Sequence, residues 1–174
     1  MVLSSYAQVD SLSSQLAQVT NDAERVVLLN ELAWHLRTSN PAQAMAYAQQ
    51  GLKIAKQINH LPEQAVSYNR IGIIYKNRGE EKHALSCYQK ALAIEKRINH
   101  PYGIARAQNQ IGVIYLDTRQ IEKAIPLFES SAKIFYKLEQ KTAFIQANNN
   151  LARCHRIIGN HKKSTSVSLN LTKG

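Results

Sequence analysis

The sequence predicts an all-α fold built from pairs of antiparallel helices that repeat along the chain. A segment of about forty residues recurs along the 174-residue sequence. Within each copy the apolar residues follow the three-and-four spacing that is typical of an α-helix. The composition also favours helix, because the chain contains 20 alanines but only 7 glycines and 4 prolines.

The repeat is clearest in the middle of the chain. Residues 68–75 (Tyr-Asn-Arg-Ile-Gly-Ile-Ile-Tyr) return forty positions later as residues 108–115 (Gln-Asn-Gln-Ile-Gly-Val-Ile-Tyr). Weaker copies contain Asn30 upstream and Asn149 downstream. We therefore predict one domain over 1–174, divided into an N-terminal capping helix over 5–20, repeat 1 over 22–61, repeat 2 over 62–101, repeat 3 over 102–141 and a partial repeat 4 over 142–174.

The elements can be justified in chain order. Val9, Leu12 and Leu16 form an apolar stripe, which predicts an N-terminal helix that covers the exposed side of repeat 1. The pair Asn40-Pro41 supplies an N-cap and a first-turn proline for the second helix of repeat 1. Each later repeat is read in the same way, as two helices joined by a short turn.

Two features concern the packing inside a repeat. Gly72 and Gly112 recur at the same position, and we expect them to lie opposite Ala84 and Ala124, where small residues let the two helices approach closely. Pro126 lies about five residues into its helix and is expected to bend it or tighten its start.

The second helix of repeat 4 differs from the others. From about His161 it carries serines where the inner repeats have alanines and aromatic residues. So polar a helix would leave Phe144 and Ile157 partly uncovered, because the last repeat of an array has no neighbour. We expect this face either to be covered by further sequence in a longer native protein or to pack against a second copy as a homodimer.

The chain is basic. Its 22 lysines and arginines exceed its 12 aspartates and glutamates by a net charge of +10, and no acidic residue follows Glu139. A basic run can be a solvated face, or it can bind an acidic partner, nucleic acid or an anionic surface. No apolar run is long enough to cross a bilayer, so we predict no membrane segment and a cytoplasmic location, or a periplasmic one if a signal peptide was removed.

Catalysis finds little support in the sequence. None of the six histidines lies at a spacing that indicates a known catalytic site. Cys154 and His155, with His161 nearby, are weak metal ligands because adjacent helix positions point apart. Cys87 and Cys154 lie on apolar stripes and are read as buried small side chains. We predict a protein that is not an enzyme and has no cofactor and no metal site.

The repeats resemble a known family. Residues 71–75 (Ile-Gly-Ile-Ile-Tyr), followed by Ala84, Tyr88 and Ala91, are similar to the tetratricopeptide pattern, and residues 111–128 match it again. The forty-residue period departs from the usual one of about 34 residues. Repeats of this length are similar to those of kinesin light chains and of bacterial signalling proteins. The resemblance implies a right-handed α-solenoid that acts as a protein-interaction scaffold.

The resemblance also implies a concave groove lined by the first helix of each repeat. Carried over position by position, the groove residues are Asn30, Trp34, Arg37, Asn69, Ile73, Lys76, Arg106, Asn109, Val113, Asn149, Arg153 and Arg156. Of these, Trp34, Ile73 and Val113 are expected to form the apolar floor of the groove. The four asparagines either bind the backbone of an extended peptide or bond to a neighbouring helix. A basic groove suits an acidic peptide or a terminal carboxylate.

Two further functions stay open. A helical repeat that binds nucleic acid would also be basic, although no stacking aromatic residue recurs in this groove. The chain could also be the sensory region of a longer bacterial signalling protein, as the resemblance implies.

Overall fold

The computed structural model describes residues 2–159, which form eight α-helices and no strand. The helices are α1 (Val2–Gln18), α2 (Asp22–Leu36), α3 (Pro41–Gln57), α4 (Leu61–Asn77), α5 (Glu81–Arg97), α6 (Pro101–Asp117), α7 (Ile121–Lys137) and α8 (Lys141–Ile157). The predicted all-α fold class is confirmed. The predicted second helix of repeat 4, from about His161, lies outside the described residues, and the division of the chain into repeats stays a prediction.

The lengths of the helices explain the forty-residue period. Helices α3 to α8 have 17 residues each, and three-residue linkers join them, so two helices with their linkers fill one period. Linkers this short return the chain on itself, and helices joined in this way pack antiparallel. None of these helices combines the length and apolar character that a membrane-spanning segment needs.

Each turn after α3 uses the same backbone device. In the first of them Asn59 has a positive φ of 55°. The N–H of His60 donates to the carbonyl of Ala55 at 2.8 Å, and the N–H of Asn59 donates to the carbonyl of Lys56 at 3.2 Å. This pair of bonds is a Schellman motif, which satisfies the last carbonyl groups of the helix. The four following turns repeat both bonds around residues with positive φ, namely Gly79, Asn99, Arg119 and Glu139.

The helix starts agree in part with the sequence. The side chain of Asn40 accepts a hydrogen bond from the N–H of Gln43 at 3.2 Å, and Pro41 is the first residue of α3, as predicted. Pro126 lies inside α7, which continues through it to Lys137.

By its internal contacts the chain divides into two compact units, 1–94 and 95–174. The core of the first unit contains Ala33 and Leu36 of α2, three residues of α3 and Ile71 of α4. Val9 of α1 packs against this cluster, so the N-terminal helix covers the core of the first helix pair. In the second unit, one cluster of buried residues lies around Phe128 and Leu151, and another is made of Ala105, Ala132, Phe135 and Ala147.

Each of the two recurring glycines lies against an aromatic ring. The three atoms nearest to a Cβ built on Gly72 all belong to the ring of Tyr88, the closest being Cε1 at 2.6 Å. A Cβ on Gly112 would lie 2.8 Å from Cε1 of Phe128. At both positions the glycine therefore makes room for a buried aromatic ring. The expected close approach to Ala84 and Ala124, one turn earlier on the same helices, stays a prediction.

Burial also determines the chemistry of the two cysteines. Both thiols are buried and neither forms a disulfide. Burial raises the pKa of Cys87 and of Cys154 above the ordinary thiol value, because a thiolate would lose its hydration. Both thiols are therefore held protonated at neutral pH and react poorly.

Candidate peptide-binding site

In the first unit, the predicted groove residue Asn30 on α2 is buried, and both polar atoms of its side chain are hydrogen-bonded. Its side chain is 1% exposed. Its Nδ2 donates to Oε2 of Glu63 at 2.8 Å, and its Oδ1 accepts from the hydroxyl of Ser67 at 3.0 Å. Both partners lie on α4, the first helix of the next repeat. At Asn30, therefore, the side chain bonds a neighbouring helix, which is one of the two alternatives given for the asparagines, and does not face a peptide.

Asn69 occupies the same repeat position on α4, but its amide is not satisfied in the same way. The residue is 2% exposed, and its Nδ2 has no hydrogen-bond partner among the described residues. A buried donor without a partner costs about 1–3 kcal/mol. A ligand atom cannot reach this nitrogen in the present conformation, because the nitrogen is itself buried.

Trp34 on α2 is the centre of a cationic cluster. The guanidinium carbon of Arg37 lies 3.6 Å from the centre of the indole ring, and that of Arg70 lies 4.6 Å from it. Arg37 also donates from Nη1 to the carbonyl of Trp34 at 2.6 Å, and Nη2 of Arg70 lies 3.4 Å from Oε1 of Glu31. The expected apolar floor at Trp34 therefore carries two positive charges. The other predicted residues of this unit, Ile73 and Lys76, are half-buried.

In the second unit, one hydrogen bond brings the predicted faces of two helices together. Arg106, Asn109 and Val113 follow the three-and-four spacing of one face of α6, and all three are half-buried. Nδ2 of Asn150 on α8 donates to Oδ1 of Asn109 at 3.4 Å. The face of α8 around Asn150 is thereby placed beside the face of α6.

The α8 side of this site is exposed and basic. Asn149, Arg153 and Arg156 are exposed, and they recur at the spacing of one helical face. Neither arginine forms a salt bridge with a carboxylate within residues 2–159. The same residues contain no group of three histidine, cysteine or acidic side chains that could hold a metal ion. What the site offers is amide hydrogen-bond donors and acceptors with uncompensated positive charge.

Arg106 differs from these two arginines because a buried acid lies beside it. Glu95, near the end of α5, is 3% exposed. Its Oε1 lies 3.8 Å from Nη2 of Arg106, and its Oε2 lies 2.7 Å from Nδ1 of His100. A Cβ on Gly103 would overlap this carboxylate, so the glycine provides the space that the acid fills. The positive charge of Arg106 is shared with Glu95 and is not wholly available to a ligand.

Sequence reasoning missed Glu95, Glu63, Ser67 and Asn150. A signal for the first existed, because the repeat puts Gly103 where Glu63 stands forty residues earlier. The second copy thus lacks an acid at position 103 but has one at Glu95. This pattern indicates that the carboxylate of Glu95 occupies the space beside the glycine.

Comparison with known proteins supports the tetratricopeptide resemblance. Residues 63–137 match the tetratricopeptide repeat family. The chain is similar to the structure of a Rap protein complexed with Competence and Sporulation Factor (20% identity, TM-score 0.87), covering 95% of this chain and 47% of that one. It is also similar to a STAND signal transduction ATPase with a tetratricopeptide repeat sensor from Pyrococcus horikoshii (19%, TM-score 0.80), covering 93% and 25%.

A third similar structure contains the nearly identical TPR-like repeats of a putative kinesin light chain from Podospora anserina (18% identity, TM-score 0.74), covering 97% of this chain and 85% of that one. No curated protein matches the sequence significantly. The chain spans about half the length of the Rap protein and a quarter of the STAND protein. At these identities the structural likeness shows the fold alone, and it confirms the predicted resemblance to tetratricopeptide repeats.

Proposed function

We propose that this chain, whose residues 63–137 match tetratricopeptide repeats, is a non-enzymatic scaffold that binds an extended acidic peptide across α6 and α8. The observation that carries the proposal is the hydrogen bond between Asn150 and Asn109. It holds two amide-bearing helix faces side by side and occupies the carbonyl of Asn109, which leaves the Nδ2 group of that residue to donate to a ligand.

A peptide in extended conformation fits these groups. Its backbone carbonyls can accept from Asn109, while the exposed Asn149 can donate to and accept from the next residue. Acidic side chains of the peptide can pair with Arg153 and Arg156, because a guanidinium binds a carboxylate through two parallel hydrogen bonds. In the first unit Asn30 is already bonded internally, so we assign the peptide contacts to the second unit.

The similar structures are consistent with a sensory role. One of them holds a bound factor and another is named for its repeat sensor. We extend the proposal accordingly: the chain is the ligand-sensing region of a bacterial signalling protein.

The test uses a fluorescent peptide of alternating glutamate and serine, and the same peptide with lysine in place of glutamate. We expect the full chain to bind the first and not the second in fluorescence anisotropy. The double change Arg153→Ala with Arg156→Ala should weaken binding by about tenfold and reduce its salt dependence. The matched control, Lys53→Ala with Lys82→Ala, removes the same charge from exposed positions of the first unit and should change little.

Equal losses for the two double variants would mean that only net charge attracts the peptide, and the proposed site would be wrong. Asn109→Ala tests the amide directly: it should weaken binding while the helical circular dichroism signal is kept. Tighter binding of a single-stranded RNA of equal charge would favour the nucleic-acid function instead.

A further inference from the structure

A second surface of the second unit lies at the turn between α7 and α8, at the opposite end of α8 from the exposed arginines. A pocket of about 610 Å³ opens there. Its apolar lining comes from Phe135 and Tyr136 of α7 and from Phe144 and Ile145 of α8. Lys137 and Lys141 also line it, one on each side of the turn. A volume of this size is within the range of about 300–1,000 Å³ that is typical of binding pockets.

The apolar residues of this pocket are unusually exposed. Tyr136 is 70% exposed and Ile145 is 42% exposed. The rings of Tyr136 and Phe144 lie 5.5 Å apart and form one wall, while Phe135 below them is buried. Exposed apolar side chains that cluster in this way mark a surface that contacts another molecule.

The repeat indicates what kind of element covers such a surface. Ala105 stands forty residues before Ile145, at the same position on α6. It is fully buried in a cluster with Ala132 and Phe135 of α7 and with Ala147 of α8. On α6 this apolar face is therefore covered by α7 and α8. On α8 the equivalent apolar face, which contains Ile145, is exposed. A helix with an apolar stripe would cover the exposed face of α8 as α7 and α8 cover Ala105.

The charges at the rim of the pocket indicate whether the covering helix comes from a second copy of this chain or from another protein. Two lysines and one acid, Glu139, line the pocket, in a chain whose net charge is +10. A second copy of this chain would bring the same positive surplus to the contact, and like charges facing each other oppose association. An acidic partner would be attracted.

We propose that this pocket docks an amphipathic helix of an acidic partner protein. Leucine-sized side chains of the helix enter the space between Tyr136, Phe144 and Ile145. Carboxylates on both flanks of the helix reach Lys137 and Lys141. The surface is distinct from the amide site and does not depend on the proposed peptide function.

The test uses a model helical peptide with leucine along one face and glutamate on both flanks, and a counterpart with lysine in place of glutamate. We expect the full chain to bind the acidic peptide at least about tenfold more tightly than the basic one. The double change Lys137→Glu with Lys141→Glu should reverse this preference, because it makes the rim of the pocket negative, so that the rim repels the acidic peptide and attracts the basic one. Lys133→Glu, on an exposed part of α7 outside the pocket, is the charge control and should keep the preference.

The apolar contact has its own variants. Ile145→Lys and, independently, Tyr136→Ser should each weaken binding by about tenfold, since each removes apolar surface from the interface. Circular dichroism checks that both variants fold. Arg153→Ala with Arg156→Ala should leave this binding unchanged, which separates the pocket from the peptide site.

Three results would overturn the proposal. The first is an unchanged preference in the Lys137→Glu and Lys141→Glu variant. The second is a concentration-dependent dimer in light scattering that Ile145→Lys abolishes, because a second copy then covers the face. The third is a lower melting temperature for Tyr136→Ser without binding of either peptide, because the chain itself then covers the pocket.

Discussion

Adding one methyl group at Gly72 is expected to destabilise the first unit, although alanine is normally preferred to glycine inside a helix. The new carbon would lie 2.6 Å and 2.8 Å from two ring carbons of Tyr88, a fully buried side chain. Carbon atoms in contact normally lie about 3.5–4.0 Å apart, so the ring or the helix has to move by about 1 Å.

The magnitude follows from two opposing effects. Overpacking a filled core costs about 1–3 kcal/mol. Replacing glycine by alanine in a helix interior returns about 1 kcal/mol. We therefore expect Gly72→Ala to lower the free energy of unfolding by about 1 kcal/mol, which corresponds to about 2–4 °C in melting temperature for a chain of this size.

A double-mutant cycle isolates the contact. Tyr88→Leu removes the ring, and in that background Gly72→Ala should stabilise by up to about 1 kcal/mol, because only the helix preference remains. Urea unfolding followed by circular dichroism measures all four members of the cycle. Gly79→Ala is the control: its φ is +73° and no atom lies within 4 Å of its Cβ position. It should cost about 1 kcal/mol in both backgrounds, through backbone strain alone. An equal cost of Gly72→Ala with and without the ring would refute this account of the glycine.

Three further predictions concern stability and can be measured by urea unfolding. Asn30→Ala should cost about 2 kcal/mol, because it leaves two partners on α4 unbonded, whereas Asn69→Ala should cost less than about 0.5 kcal/mol, because no hydrogen bond is lost; similar costs would contradict the assigned contacts. Gly103→Ala should cost about 2 kcal/mol through overlap with the carboxylate of Glu95, and this cost should largely disappear in a Glu95→Ala background. Arg119→Gly should stabilise by about 0.5–1 kcal/mol, because φ at this residue is +62°; lower stability would contradict the strain argument.

The all-α fold could be predicted from the sequence, because the periodicity of the apolar residues depends on their spacing and not on individual contacts. Forty residues allow two helices of 17 residues with three-residue turns, and the apolar positions fix which faces are buried. The turns were only partly readable. Gly79, Asn59 and Asn99 are residues that tolerate a positive φ, but Arg119 and Glu139 adopt it as well. Their conformation is imposed by the helix pairing, since each turn must reverse the chain within three residues.

The candidate site was less readable, because it depends on partners that the family pattern does not specify. From the sequence, Arg106 was counted as a cation that is available to a ligand. In the structure it lies beside Glu95, and Glu95 belongs to α5, which does not line the predicted groove. Trp34 was expected to be part of the apolar floor, but Arg70, one residue after the recurring asparagine position of α4, lies over its ring. Both effects arise from long side chains reaching between neighbouring helices, which spacing alone does not encode.

The repeated asparagines show why one residue at one repeat position can have several roles. Asn30 is bonded by Glu63 and Ser67, which lie 33 and 37 residues further on. The residues equivalent to these two in the next repeats are Gly103 and Ala107, then Ala143 and Ala147, and none of their side chains can form a hydrogen bond. Within residues 2–159 the side chain of Asn109 therefore bonds to Asn150 through its carbonyl oxygen and keeps its donor group free.

This difference predicts that a substitution at Ala143 can occupy the donor group of Asn109 and so weaken peptide binding, although none of the proposed peptide-binding residues is changed. Ala143 lies in the first turn of α8, where Glu63 lies in the first turn of α4. Ala143→Gln offers a neutral acceptor to Nδ2 of Asn109, in the way that Glu63 serves Asn30. It should raise the free energy of unfolding by about 0.5–1.5 kcal/mol and weaken binding of the acidic peptide, because the donor is now used internally. Ala143→Glu should do the same with added repulsion of the peptide. Unfolding and anisotropy measured on the same samples decide the matter: a stabilised variant that binds the peptide as tightly as the parent would show that Asn109 takes no part in binding.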